Sequence, residues 1–239
     1  MMTKKNEFFK EAGDGLPIAL GYLPVSFGFG IAAVSCGIDP LAAVIISLTN
    51  LTSAGQVAGI SIIAAEGAYI EMILTQLIIN IRYALMSLSL SQKLDDSFRI
   101  PHRLAVSYGV TDEIFAVASG KSGMVSPSYM AGLIAIPAAC WVGGTLLGAF
   151  AGGILPEILK SALGILIYGM FIAIFVPASV KSKGVLVCTA AAVAVSLCIW
   201  FIPIFSFISE GFSVIICAVG ASALAAWLFP VDDESGEDM

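Results

Sequence analysis

Long apolar stretches alternate along the chain with short polar ones. A helix needs about 20 consecutive apolar residues to cross a bilayer. Six stretches meet that requirement: 16–35, 69–90, 127–150, 158–176, 185–202 and 212–229. Two further stretches are apolar at their ends and polar at their centres. Segment 38–65 carries Ser47, Thr49, Asn50, Thr52, Ser53, Gly55 and Gln56 in its middle, and the shorter segment 104–120 carries Thr111, Asp112 and Glu113. The expected fold is all-α: a polytopic integral membrane protein with six full transmembrane helices and two broken or re-entrant helical elements. If these elements cross the bilayer, the count rises to seven or eight.

The distribution of positive charge tests that count, because cytoplasmic loops carry an excess of Lys and Arg. The basic segments are the N-terminus (Lys4, Lys5, Lys10), the loop 93–103, Lys121 and the pair Lys181 and Lys183. If both irregular elements enter and return on one side, every one of these becomes cytoplasmic. Asp39, Glu66, Glu157 and Glu210 then fall outside, with Lys160 as the external base. This places the N-terminus in the cytoplasm and the protein in the cell membrane. The first apolar stretch exceeds the length of a signal-peptide core and reads as a retained span.

Composition agrees. Hydrophobic residues make up 59% of the chain and charged residues 12%, with a mean hydropathy of +0.99. A soluble domain carries about 25% charged residues to solvate its surface, so a soluble enzyme, a coiled coil and a nucleic-acid binder with a basic face are excluded. The formal net charge of -6 comes largely from Asp232, Asp233, Glu234, Glu237 and Asp238. Residues 1–230 are read as a single transmembrane permease domain and 231–239 as an acidic disordered tail. The cysteines Cys36, Cys140, Cys188, Cys198 and Cys217 have no CxxC spacing and read as small buried hydrophobes.

Backbone that leaves a helix at membrane depth survives only where protein buries it or water lines it, and transporters use such breaks to bind substrate. Both polar-centred stretches therefore fall where a translocation site is expected. Gln76, Asn80, Tyr83 and Ser87 are spaced to share one helical face. That face is either interhelical hydrogen-bond glue or a wall of the substrate path. Arg82, deep in the same span, needs an acidic partner. Asp112 and Glu113 are the carboxylates within the bulk of an apolar segment, and adjacent helical residues diverge by about 100°. Either the pair with Arg82 is purely structural, or one of them pairs with Arg82 while the other takes a proton or an ammonium group. Thr49, Asn50, Ser53, Gly55 and Gln56 suit an unwound turn that offers backbone groups to a substrate, or a hydrogen-bonded kink. Asp14, followed by Pro17, reads as a helix N-cap. Gly144, Gly148 and Gly152 have small-xxx-small spacing, which lets helices approach closely. No internal sequence repeat is evident.

Several of these motifs resemble one family. Gly13-Asp-Gly-Leu-Pro-Ile18 at the first span resembles the AzlC-type branched-chain amino-acid permeases. So do Ser53-Ala-Gly-Gln56, Asn80-Ile-Arg-Tyr83 with Met86 after it, and Thr111-Asp-Glu113 followed by Phe115. The resemblance is strongest over 11–120. It implies export of leucine, isoleucine, valine and similar apolar amino acids, driven by the proton gradient. It also implies a small AzlD-type membrane subunit with about four helices as a partner.

Other function classes fit less well. No P-loop is present, so ATP hydrolysis within the chain is not expected. His102 is the single histidine and lies in the basic loop, which argues against a histidine-based metal site or a catalytic dyad. No cofactor and no metal are expected. An intramembrane protease would need a Ser/His pair, two facing aspartates or a zinc site. A channel, or a membrane subunit without transport activity, is the remaining alternative.

Overall fold

The computed structural model describes residues 4–151, 182–205 and 207–230, with isolated positions between 155 and 180. Its elements are α1 (Lys4–Ser35), α2 (Pro40–Thr49), α3 (Ser53–Ala64), α4 (Tyr69–Ser91), α5 (Ile100–Ser107), α6 (Asp112–Gly120), α7 (Pro127–Ala151), α8 (Lys183–Phe201) and α9 (Glu210–Leu228). A short 3-10 turn at Pro203–Phe205 joins the last two. Five helices among the described residues are long and apolar enough to cross a membrane: α1 from Gly13 on, α4, α7, α8, and α9 from Gly211 on. The expected crossing at 158–176 and the acidic segment 231–239 lie outside the described residues.

Both irregular stretches are broken helices. α2 starts on Asp39, whose carboxylate accepts from the amides of Leu41 and Ala42, with Pro40 in the first turn. It ends at Asn50, where the backbone becomes extended, and α3 starts after Thr52. α5 likewise begins with a proline in its first turn, Pro101, and α6 is capped by Thr111, whose hydroxyl accepts from the Ile114 amide. The second broken element thus starts earlier than its apolar stretch, and His102 and Arg103 belong to a helix rather than a loop. Thr111-Asp112-Glu113 marks the start of the second half-helix, and the break itself spans 108–111.

Two other expectations are corrected. Asp14 caps no helix, because α1 runs through it, and its carboxylate lies 3.5 Å from the Tyr129 hydroxyl. None of the five cysteines is buried. In a chain that spans a membrane, an exposed apolar side chain faces hydrocarbon, and a cysteine is accommodated there as well as in a core.

The centre of the molecule is the contact between α1 and α7. Lipid is as apolar as leucine, so membrane helices associate through close packing and hydrogen bonds. Gly144 and Gly148 serve that purpose: a methyl group on either would overlap the backbone of α1 at Leu23 and Phe27. Gly30 returns the fit, because a methyl there would strike the Thr145 carbonyl. The third glycine of the series, Gly152, lies outside the described residues. Tyr22, Phe29, Tyr129, Met130, Leu133 and Trp141 fill the interface. At its edge the Ser47 and Thr145 hydroxyls lie 2.7 Å apart and tie α2 to α7.

Helix α4 shows how the bilayer sorts a helix. Ile70, Ile73, Leu77, Ile81, Leu85 and Leu88 are exposed on one face, while Glu71 and Thr75 are buried on the other. The Glu71 carboxylate accepts from the Gly211 amide at 2.9 Å and from the Ser209 hydroxyl, and so caps α9. It stands two residues into its apolar stretch, and sequence reasoning does not single it out. The neighbouring helix makes it a third embedded carboxylate.

Candidate functional site

The two breaks meet. A cavity of about 220 Å³ is lined at one side by Thr49, Asn50, Leu51 and Thr52, and at the other by Ser107, Tyr108, Val110 and Thr111. Asn80 and Tyr83 of α4 close it. Tyr108 also joins the breaks directly, because its hydroxyl donates to the Leu48 carbonyl at 2.9 Å.

The first break is neutral. Helix ends leave carbonyls and amides unpaired, and here Gln56 takes up the carbonyls: its amide donates to Asn50 at 2.8 Å and to Ile46 at 3.4 Å. The Trp141 indole donates to the Gln56 oxygen at 3.1 Å. At the start of α3, Thr52 makes no capping hydrogen bond and instead donates to Asn80 at 2.6 Å. Asn80 in turn donates to Gln76 at 3.1 Å, and Gln76 to the Gly55 carbonyl at 2.8 Å. Gly55 permits this contact, since a methyl there would lie 2.6 Å from the Gln76 oxygen. The Asn50 side-chain oxygen is buried and has no hydrogen-bond partner. Unpaired buried polar atoms are costly, and Asn50 is at the same time a residue of the cavity wall.

The second break is charged. Asp112 pairs with Arg82, whose guanidinium also lies 4.6 Å from the Tyr83 ring centroid and donates to its hydroxyl at 3.1 Å. Glu113 turns the other way, toward α1, where the Tyr22 hydroxyl lies 2.7 Å from its Oε2. The same hydroxyl lies 2.6 Å from the Thr111 Oγ1. Tyr22 meets Trp141 edge to face at 5.2 Å, so one line of aromatic and polar contacts runs from Glu113 to Gln56 and the first break. Two carboxylates in the first turn of α6 also suit the positive end of its dipole.

Thr49, Asn50, Asn80 and Tyr83 therefore line the cavity. Gln56, Gln76, Gly55 and Arg82 support the residues that do, while Ser53 only opens the first turn of α3 and Ser87 lines a separate cavity of about 200 Å³ beside α5. Among the described residues, no three His, Cys, Asp or Glu side chains come together as a metal site would require.

A model of one protein family, described as AzlC protein, matches residues 17–155. The chain belongs to the AzlC family. The match covers both breaks and α7, and so includes every residue of the cavity. Among AzlC-family relatives, the chain is 31% identical over 193 residues to the inner membrane protein YgaZ of Escherichia coli (strain K12), covering 78% of each chain. It is 32% identical over 178 residues to an uncharacterized membrane protein of Archaeoglobus fulgidus, covering 74% of this chain and 78% of the relative. A membrane protein of Helicobacter pylori (strain 26695) is 26% identical over 155 residues, 62% of this chain and 67% of its own. No solved structure matches.

Tyr22, Trp141 and Tyr108 join this AzlC-family site although sequence reasoning does not single them out. Each is an aromatic residue in an apolar context, and partners 60 to 91 residues away give it a role. A useful signal is the polar end of Tyr and Trp, which seeks a partner when buried.

Proposed function

We propose that this AzlC-family chain is a secondary transporter, a proton-coupled exporter of branched-chain amino acids such as leucine, isoleucine and valine. It acts in the cell membrane with its N-terminus in the cytoplasm, together with a small AzlD-type four-helix subunit, and performs no enzymatic reaction. The observation that carries the reading is the cavity at the meeting of two broken helices, one break neutral and one charged. Clefts for drug-sized ligands measure about 300–1,000 Å³, so a cavity near 220 Å³ suits a small metabolite.

An amino-acid zwitterion matches what the cavity offers. Thr52 brings the start of α3 to the cavity wall without capping it, so the positive end of that helix dipole favours a carboxylate there. Asn50 and Thr111 belong to the cavity wall, and their side-chain oxygens can accept from an ammonium group once they turn toward it. Asp112 is committed to Arg82, which leaves Glu113 as the carboxylate that exchanges a proton. Leu51 and Val110 give the aliphatic side chain an apolar wall.

The test uses cells that express the chain with its small partner and are loaded with a leucine-containing dipeptide. Leucine efflux is expected to exceed that of control cells, to saturate with internal leucine and to collapse with a protonophore. Efflux no faster than in controls overturns the transport reading. Efflux that is fast, unsaturable and indifferent to the protonophore identifies a channel instead.

A further inference from the structure

Tyr22 occupies a position that transport as such does not require. Its ring is buried between α1 and α7, and its hydroxyl has two oxygen neighbours, Thr111 Oγ1 at 2.6 Å and Glu113 Oε2 at 2.7 Å. A phenol has one proton and can give it fully to only one of them. We infer that Tyr22 is a positioning residue that reverses its hydrogen bond when Glu113 gains or loses a proton, and thereby turns the cavity-lining Thr111 hydroxyl from acceptor to donor. This inference rests on the proposed exchange of a proton at Glu113.

The reversal follows from counting protons. Ionised Glu113 can only accept, so Tyr22 donates to it and Thr111 donates to the Tyr22 oxygen. The Thr111 oxygen also receives the Ile114 amide at 3.4 Å, which leaves it one lone pair, and Thr111 is a residue of the cavity wall. Protonated Glu113 donates to the Tyr22 oxygen, Tyr22 then donates to Thr111, and the Thr111 proton is turned toward the cavity. An acceptor there favours a substrate ammonium, and a donor opposes it. Proton and amino acid therefore exclude each other, although Glu113 itself does not line the cavity. That is the relation an exporter needs if protons moving inward drive the amino acid outward.

Among the described residues, Tyr22 is the hydrogen-bond partner of the Glu113 carboxylate, and Arg82 and Tyr83 lie near enough to feel its charge. α4 brings Arg82, already paired with Asp112 of α6, and Tyr83. α7 brings no charged side chain, and its titratable groups are Tyr129 and Cys140. Tyr129 faces Lys121, whose amine lies 3.4 Å from the ring centroid, and Asp14.

The experiment measures radiolabelled leucine binding to the purified full-length chain with its small partner from about pH 3 to about pH 8, which includes the ordinary carboxylate range. It also records the acid-induced infrared band of the Glu113 carboxyl, identified by its loss in Glu113→Gln. Wild-type affinity is expected to weaken about tenfold on acidification, the scale of one hydrogen bond to a charged group. Tyr22→Phe keeps the packing on Trp141 and is expected to bind leucine with a pH dependence of about threefold or less. Its Glu113 band is expected to move. Thr111→Val should flatten the profile in the same way, and Thr111→Ser should restore it, which a purely structural role for Tyr22 or Thr111 does not produce. A full tenfold dependence in Tyr22→Phe or Thr111→Val, a missing Glu113 band, or an unmoved band in Tyr22→Phe overturns the inference. If the wild type binds no leucine, the transport reading fails, and the infrared band still decides whether Tyr22 answers to Glu113.

Discussion

The two helix breaks solve one problem in opposite ways. At the first, between α2 and α3, neutral amides and hydroxyls deal with the freed backbone groups. Gln56 holds the carbonyls of α2, while the start of α3 has no side-chain cap. At the second, between α5 and α6, Thr111 caps the half-helix and two carboxylates follow it. Neutral groups keep their charge whatever the pH, so the first break can hold a substrate without responding to protons. The second carries the carboxylates that can register a proton. A carrier needs both properties, and here each rests mainly on its own break.

That division can be broken experimentally. The largest effect is expected at Glu113: Glu113→Gln should lower proton-driven leucine efflux on the order of 10²-fold and remove the pH dependence of leucine binding. Efflux unchanged in Glu113→Gln, in Asp112→Asn and in the double variant would contradict the role given to the charged break. Next comes Asn50→Ala, which removes the unpaired acceptor of the neutral break. Leucine binding should weaken roughly 10-fold, the loss of one charge-assisted hydrogen bond, while the dependence on pH persists. A flattened pH profile in Asn50→Ala would show that the two breaks are not separate.

Trp141→Phe acts between them. It leaves the Gln56 oxygen without its donor in a buried site, at a cost of about 1–3 kcal/mol, to be read as a lower thermal unfolding midpoint in detergent. The smallest effect is expected at Glu71, a carboxylate that belongs to neither break. Glu71→Gln keeps an acceptor for the Gly211 amide and loses only the favourable charge at the end of α9, about 0.3–1 kcal/mol. Its leucine efflux should stay within about fivefold of wild type, since about 1 kcal/mol shifts an equilibrium by no more than that.

How much of this was legible in the sequence depended on distance along the chain. The spans at α4, α7, α8 and α9 follow from apolar length alone, because hydrocarbon demands it. The break near Asn50 was visible as a polar centre, and Arg82 asked for an acid because it lies too deep in its span to reach water. The start of α1 misled for a physical reason. Gly15 and Pro17 resemble the entrance to a helix, yet Gly15 is small so that α7 can approach. A methyl there would lie 2.6 Å from the Leu133 carbonyl. Pro17 is tolerated inside the helix because membrane helices can satisfy the freed groups through neighbours. Tyr22, Trp141 and Glu71 could not be assigned from local pattern at all. Their partners lie 85 to 140 residues away, and only the packing of α1, α7 and α9 brings them together.

The bond from Tyr108 to the Leu48 carbonyl has a thermodynamic consequence. Because it ties the end of α2 to the break before α6, a movement at either break is felt at the other. Coupling between two binding equilibria is reciprocal: whatever factor a proton costs leucine, leucine costs the proton. Leucine added to the chain in weakly buffered solution should therefore acidify it, and weakening this one hydrogen bond with Tyr108→Phe should reduce the protons released per leucine bound.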